Sequence, residues 1–79
     1  MKLDVNELLE IAKKEVENLK TDEIFLVKEL FKGYEWNRID RKTRLLLGIL
    51  FLNWVRTTNE DKIKIIEKTS SGQQKYKII

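Results

Sequence analysis

Apolar residues recur at helical spacing through the first part of the chain, at Val5, Leu8, Leu9, Ala12, Val16 and Leu19. Between them fall Glu7, Glu10, Lys14 and Glu17. The alternation predicts an amphipathic surface helix from about Val5 to Lys20, apolar face inward. Asp4 suits its N-cap, and Glu7 three residues on completes a capping-box pattern. Leu3 before the cap and Leu8 after it fit a hydrophobic staple.

Thr21 and Asp22 break the period. The run from Glu23 to Val27 (EIFLV) reads either as an edge strand or as the first turn of a helix capped by Asp22. KELFKG then predicts a short helix stopped by Gly33. Tyr34 to Arg38 (YEWNR) predicts a structured turn with two aromatic anchors. Asp40 caps a third helix, from Arg41 to about Arg56, which begins basic and becomes almost wholly apolar from Leu45 to Leu52. Such a helix is central, or it faces a partner. Gly48 in its interior costs about 1 kcal/mol against Ala, which predicts that another backbone packs closely there.

Thr57 to Asp61 predicts a polar loop. In Lys62 to Lys68, Ile63 and Ile65 alternate with Lys62 and Lys64, a strand pattern. A turn cluster containing Gly72 separates it from Lys75 to Ile79, where Tyr76 and Ile78 share a face. The end of the chain therefore predicts a hairpin with a basic, polar tip. One domain over residues 1–79 accounts for the whole, with no internal repeat or linker.

Composition narrows the chemistry. The chain has no cysteine and no histidine, so disulfides, Cys-based zinc sites and His acid/base chemistry are excluded. Gly-rich phosphate loops and nucleophile-elbow patterns are absent, and the carboxylates sit mostly at helix-surface spacing beside Lys or Arg. The pair Glu60-Asp61 reads as a solvated loop. The expectation is a binding domain, not an enzyme, with no cofactor and no metal. The N-terminal run lacks a signal-peptide core, and the longest apolar stretch is too short to span a membrane, so a soluble cytoplasmic protein is expected.

The net charge of +3 hides a division. Residues 1–37 carry 6 basic and 9 acidic side chains, whereas residues 38–79 carry 10 and 4. That points to an anionic partner for the second half, or to two halves that attract each other.

The fold class expected is α+β: three helices with a C-terminal β-hairpin and a possible short third strand, in the order of a winged helix-turn-helix. EIFLV would then pair with the hairpin and cover one of its edges. In that arrangement Arg38, Arg41, Lys42 and Arg44 stand at the start of the third helix, where base or phosphate contacts begin. Lys68, Gln73, Gln74, Lys75 and Lys77 stand on the wing, within reach of phosphates. The bland alternative for these cations is an ordinary solvated helix end. Trp36, Phe51 and Trp54 are expected in the core, and Tyr34 is a candidate for partner contact. Against groove reading, the stretch from Leu45 to Leu52 offers almost no polar face.

The run LFKGYEWNRIDRKTRLLLGILFLNWV (Leu30 to Val55), followed by IEKTSSGQQKYK (Ile66 to Lys77), resembles a family of small proteins of unknown function from Gram-positive bacteria and their mobile elements. The resemblance spans about Ile24 to Lys77 and rests on LFKGYEWNRI, the Arg44–Gly48–Phe51 pattern and TSSGQQ with Tyr76. It implies a compact stand-alone fold and is consistent with a regulator or a small inhibitory protein. The first reading is a small regulator that binds duplex DNA through the start of the third helix and the basic hairpin; the alternative is a protein-interaction module acting as inhibitor or adaptor. A homodimer through the third helix is compatible with both.

Overall fold

The computed structural model of the chain describes residues 4–58 and 61–79. Three helices and a three-stranded antiparallel sheet make a small α+β domain. Helix α1 is Val5–Val16, strand β1 is Ile24–Leu26, helix α2 is Gly33–Arg38, and helix α3 is Arg41–Thr58. Strands β2 (Ile63–Lys68) and β3 (Gln74–Ile78) form the hairpin. The sheet order is β1-β3-β2, so EIFLV supplies an edge strand against the hairpin.

Helix α1 starts where expected, with the Asp4 carboxylate accepting from Glu7 N–H at 2.9 Å. The staple cannot be followed, because Leu3 lies outside the described residues; Leu8 is buried. The helix stops at Val16, short of the expected Lys20. Three successive i→i−3 bonds, from Glu17, Asn18 and Leu19, tighten the chain out of α geometry. Asp22 then takes a left-handed φ of 74°, and its N–H donates to Ile78 O at 2.7 Å, tying this turn to the end of β3.

The middle of the chain differs from expectation. KELFKG is not an α-helix stopped by Gly33. Val27–Leu30 forms one 3-10 turn, and Gly33 opens α2 instead. YEWNR is that helix, not an irregular turn. The sequence spacing explains the exchange. Glu29 and Glu35 each reach back three residues, accepting from Leu26 N–H at 2.8 Å and Lys32 N–H at 3.1 Å, so two helical starts sit within ten residues.

Asp40 caps α3 through Thr43, whose N–H and hydroxyl donate to its carboxylate at 3.3 and 2.6 Å. The helix runs past Arg56 to Thr58, and the Thr57 hydroxyl donates back to Asn53 O. Thr57 and Thr58 of the predicted polar loop are therefore helical, and Asp61 lies in a turn, while residues 59 and 60, and so Glu60 of the Glu60-Asp61 pair, lie outside the described residues.

The core lies between the sheet and the helices. Leu8 and Ala12 of α1 and Leu47, Phe51 and Val55 of α3 are buried against Phe25, Ile63 and Tyr76 of the sheet. Phe25, Phe51 and Tyr76 form an aromatic cluster with centroid separations of 6.2, 5.5 and 5.1 Å, joining β1, α3 and β3. Trp36 and Trp54, expected in the core, pack against its edge and are only partly buried. The register puts Phe25 and Ile65 opposite Tyr76, and Ile63 opposite Ile78, all on the helix side. Slippage between Ile65 and Lys68 marks a bulge near the hairpin tip. The tip closes with Gly72 at φ 88°, a conformation glycine adopts without strain, and with paired bonds between Thr69 and Gln73. Among the described residues no helix is long and apolar enough to cross a membrane.

Candidate binding groove

Helix α3 has two apolar faces. Leu47, Phe51 and Val55 are fully buried, while Leu45, Leu46 and Ile49 are 60%, 45% and 64% exposed. Of the two expectations for this helix, central or facing a partner, the first holds for one side only: that side enters the core and the other lies open. The close backbone contact expected at Gly48 is also absent, since a Cβ built there would meet nothing within 4 Å.

The open side of α3 and the hairpin tip enclose a groove of about 570 Å³. Its floor is Leu45, Gly48, Ile49 and Leu52 from α3. Its far wall is Lys68, Ser71, Gly72, Gln73 and Gln74 from the hairpin, with Leu26, Val27, Lys28 and Trp36 at the near end. Arg41 and Arg44 line it too, and no carboxylate appears among its described lining residues. A second groove, about 590 Å³, lies beside the end of α1, where Glu10 and Glu17 mix with Lys13, Lys14 and Lys62 around Trp54.

Of the nine candidate nucleic-acid contacts, Arg41, Arg44, Lys68, Gln73 and Gln74 share the first groove. Their freedom differs. Arg44 lies over the Trp36 ring, 5.2 Å from its centroid, and donates from Nη2 to Trp36 O at 2.8 Å. Its Nε is buried with no hydrogen-bond partner among the described residues. Gln74 is likewise turned inward, donating from Nε2 to Ile66 O and Lys75 O. Arg41, Lys68 and the tip residues Ser70, Ser71 and Gly72 are exposed, and Gln73 is half-buried.

The remaining four stand apart. Arg38 covers the exposed ring of Tyr34 at 5.1 Å, with Lys32 Nζ 6.0 Å from the same ring. Lys42 is exposed at the start of α3 without lining the groove. Lys75 and Lys77 alternate with Tyr76 along β3, so they face away from α3. There Lys77 stands opposite Lys64. Lys75 pairs with Glu67 at 3.5 Å and Lys77 with Asp22 at 3.7 Å. The Glu67 carboxyl is held below its ordinary value, first by a hydrogen bond from its own backbone, which desolvation opposes, with Lys75 adding a smaller lowering effect.

The sequence pointed to the apolar third helix as a partner-facing surface but did not single out Leu45, Ile49 and Leu52 as the residues of a groove. A helical projection carries the signal, because Leu45, Ile49 and Leu52 fall away from the Leu47–Phe51–Val55 row. Among the described residues no group of three or more acidic side chains stands close enough to hold a metal ion.

The model of a domain-of-unknown-function family, DUF1413, matches residues 10–77, and the chain belongs to that family. No curated protein and no solved structure matches it.

Proposed function

We propose that the chain is a small interaction module without an active site, built on a winged-helix-like scaffold, and that it docks a protein segment between α3 and the hairpin. Element order and the sheet order β1-β3-β2 support the scaffold reading. One observation carries the function: Leu45, Leu46 and Ile49 are exposed together on the helix that such a scaffold would present to its target. Duplex grooves display polar base edges. Leu and Ile side chains pressed against them leave donors and acceptors without partners, at roughly 1–3 kcal/mol each. A protein partner gains from covering the same atoms.

Duplex DNA is the second reading, favoured by the cations of the groove and the absence of carboxylates among its described lining residues. Phosphate contacts from Arg41, Lys42 and Lys68 would give affinity that falls steeply with salt.

Capture from nuclease-treated lysate of the source cells separates the two. Docking predicts a protein retained by the wild type and lost with Ile49→Asp, a change at an exposed position that leaves the fold intact. If nothing protein is retained, while duplex DNA binds in a salt-dependent way that Arg41→Ala weakens, the DNA reading replaces it.

A further inference from the structure

Gly48 poses a specific problem. A glycine inside a helix destabilises it by about 1 kcal/mol relative to alanine. Nothing in the fold requires it, because a Cβ at this position would stand in open space. Yet Gly48 lies in the groove floor, with Leu45 three residues before it, Ile49 beside it and Leu52 four residues after. Glycine at the centre of an apolar helix face lets a second helix approach more closely than the usual interaxial distance of about 8–10 Å.

Charge identifies the kind of helix. Helix α3 contains Arg41, Lys42, Arg44 and Arg56 and no Asp or Glu. Lys28 and Lys68 add positive charge from the near end and the hairpin wall. A second copy of α3 fits badly. Laid antiparallel across Gly48, it gathers Arg41, Lys42 and the other copy's Arg56 at each end around a single carboxylate, Asp40, which already caps the helix through Thr43; laid parallel, it sets each cation against its own copy. The outer face of α1 is acidic, but its apolar row is already spent on the core through Leu8 and Ala12, leaving only Ile11 exposed.

Resting on the docking reading above, we infer that the groove takes an amphipathic helix of a partner protein, with apolar residues at i, i+3 or i+4 and i+7 flanked by Asp and Glu. Its apolar row crosses α3 at Gly48, between Leu45 and Leu52. Its carboxylates reach Arg41 at one end and Lys68 across the groove. The apolar floor from Leu45 to Leu52 extends about 10 Å along the axis, two turns, so a partner helix of three turns covers it.

The test uses the whole chain and a displayed library of random peptides about 16 residues long, enough for four helical turns. Enriched peptides should be acidic, with apolar residues at helical spacing. Their affinity should fall at least about tenfold with Gly48→Leu, as expected when a central contact is lost. It should also fall with Arg41→Glu and with added salt. Gly48→Ala, measured alongside, should melt above the wild type, which shows that the position itself tolerates a side chain. Enrichment of basic or non-periodic peptides, or binding indifferent to Gly48→Leu, overturns the inference. So does a short duplex DNA, or a wild-type dimer in sedimentation, whose binding Gly48→Leu abolishes. If lysate capture yields an Ile49-dependent protein while the library enriches no acidic helix, docking stands and the acidic-helix assignment falls.

Discussion

Leu46 and Leu47 are adjacent and chemically identical, yet Leu47 is fully buried and Leu46 is 45% exposed. The same contrast runs along α3: Phe51 and Val55 lie on one side, Leu45 and Ile49 on the other. The buried row is held by the sheet, through Phe25 and Tyr76, and by α1. Of the open residues, Leu45 and Ile49 line the groove. Apolar composition is equal on the two sides, so composition cannot be what stabilises the fold; removal from water is. The buried row is the core, and the open row is free to be covered by something else.

That contrast breaks most visibly under truncation. Phe51→Ala should cost about 3–5 kcal/mol, because it empties the aromatic cluster. Ile49→Ala, a smaller truncation on the open side, should change stability by less than about 0.5 kcal/mol. Urea unfolding of the two variants measures both, and similar losses would show that the open row is core after all.

Dryness of the inner side has a pH signature. Burial pushes the Tyr76 hydroxyl up to about 12 from 10, with the Arg56 charge opposing. The folded chain thus holds this proton more tightly than the unfolded chain does. Its contribution is complete below pH 10 and is lost as pH rises towards about 12. Two units correspond to at most about 2–3 kcal/mol, less where solvent screens the hydroxyl. Tyr76→Phe should remove that alkaline loss, read as the difference between the two stability curves; parallel curves would mean the hydroxyl is not buried in the folded chain.

On the open side the sign reverses. Gly48→Ala should raise stability by about 1 kcal/mol, since helix propensity improves and no neighbour is displaced. A loss in thermal unfolding would place a close neighbour at that position.

The smallest effect lies away from α3. Lys64 and Lys77 stand directly opposite each other on the outer face of the sheet. Lys64→Glu should stabilise by a few tenths to about 1 kcal/mol, and more at low salt. No change across a salt series would show that Asp22, 3.7 Å from Lys77, already neutralises the pair.

Much of this architecture was legible beforehand. The Asp4 and Asp40 caps, the alternation around Ile63 and Tyr76, and the Gly72 turn are local signals, and local hydrogen bonds decide them. The stretch from Val27 to Arg38 was not legible, because Glu29 and Glu35 both offer back-capping and one short run holds two helical starts. The site was half legible. Arg41 and Lys68 were found from charge, but charge alone could not tell that Arg44 is engaged by Trp36 or that Lys75 and Lys77 face the other way. Strand alternation held the clue for the two lysines. The inward turn of Arg44 depends on where α2 packs, which no spacing reveals. The groove floor was visible as a run of apolar residues, but which of them stay wet depends on the width of the sheet beneath.

The most direct test follows the backbone amide of Gly48 by NMR during titration with an acidic peptide from the displayed library. Saturating shifts at Leu45, Gly48, Ile49 and Leu52, with Lys75 and Lys77 unmoved, are the result expected if the open row of α3 is the docking face. Shifts confined to the Tyr34–Arg38 surface or to the outer face of the sheet, with Gly48 unmoved, would contradict it.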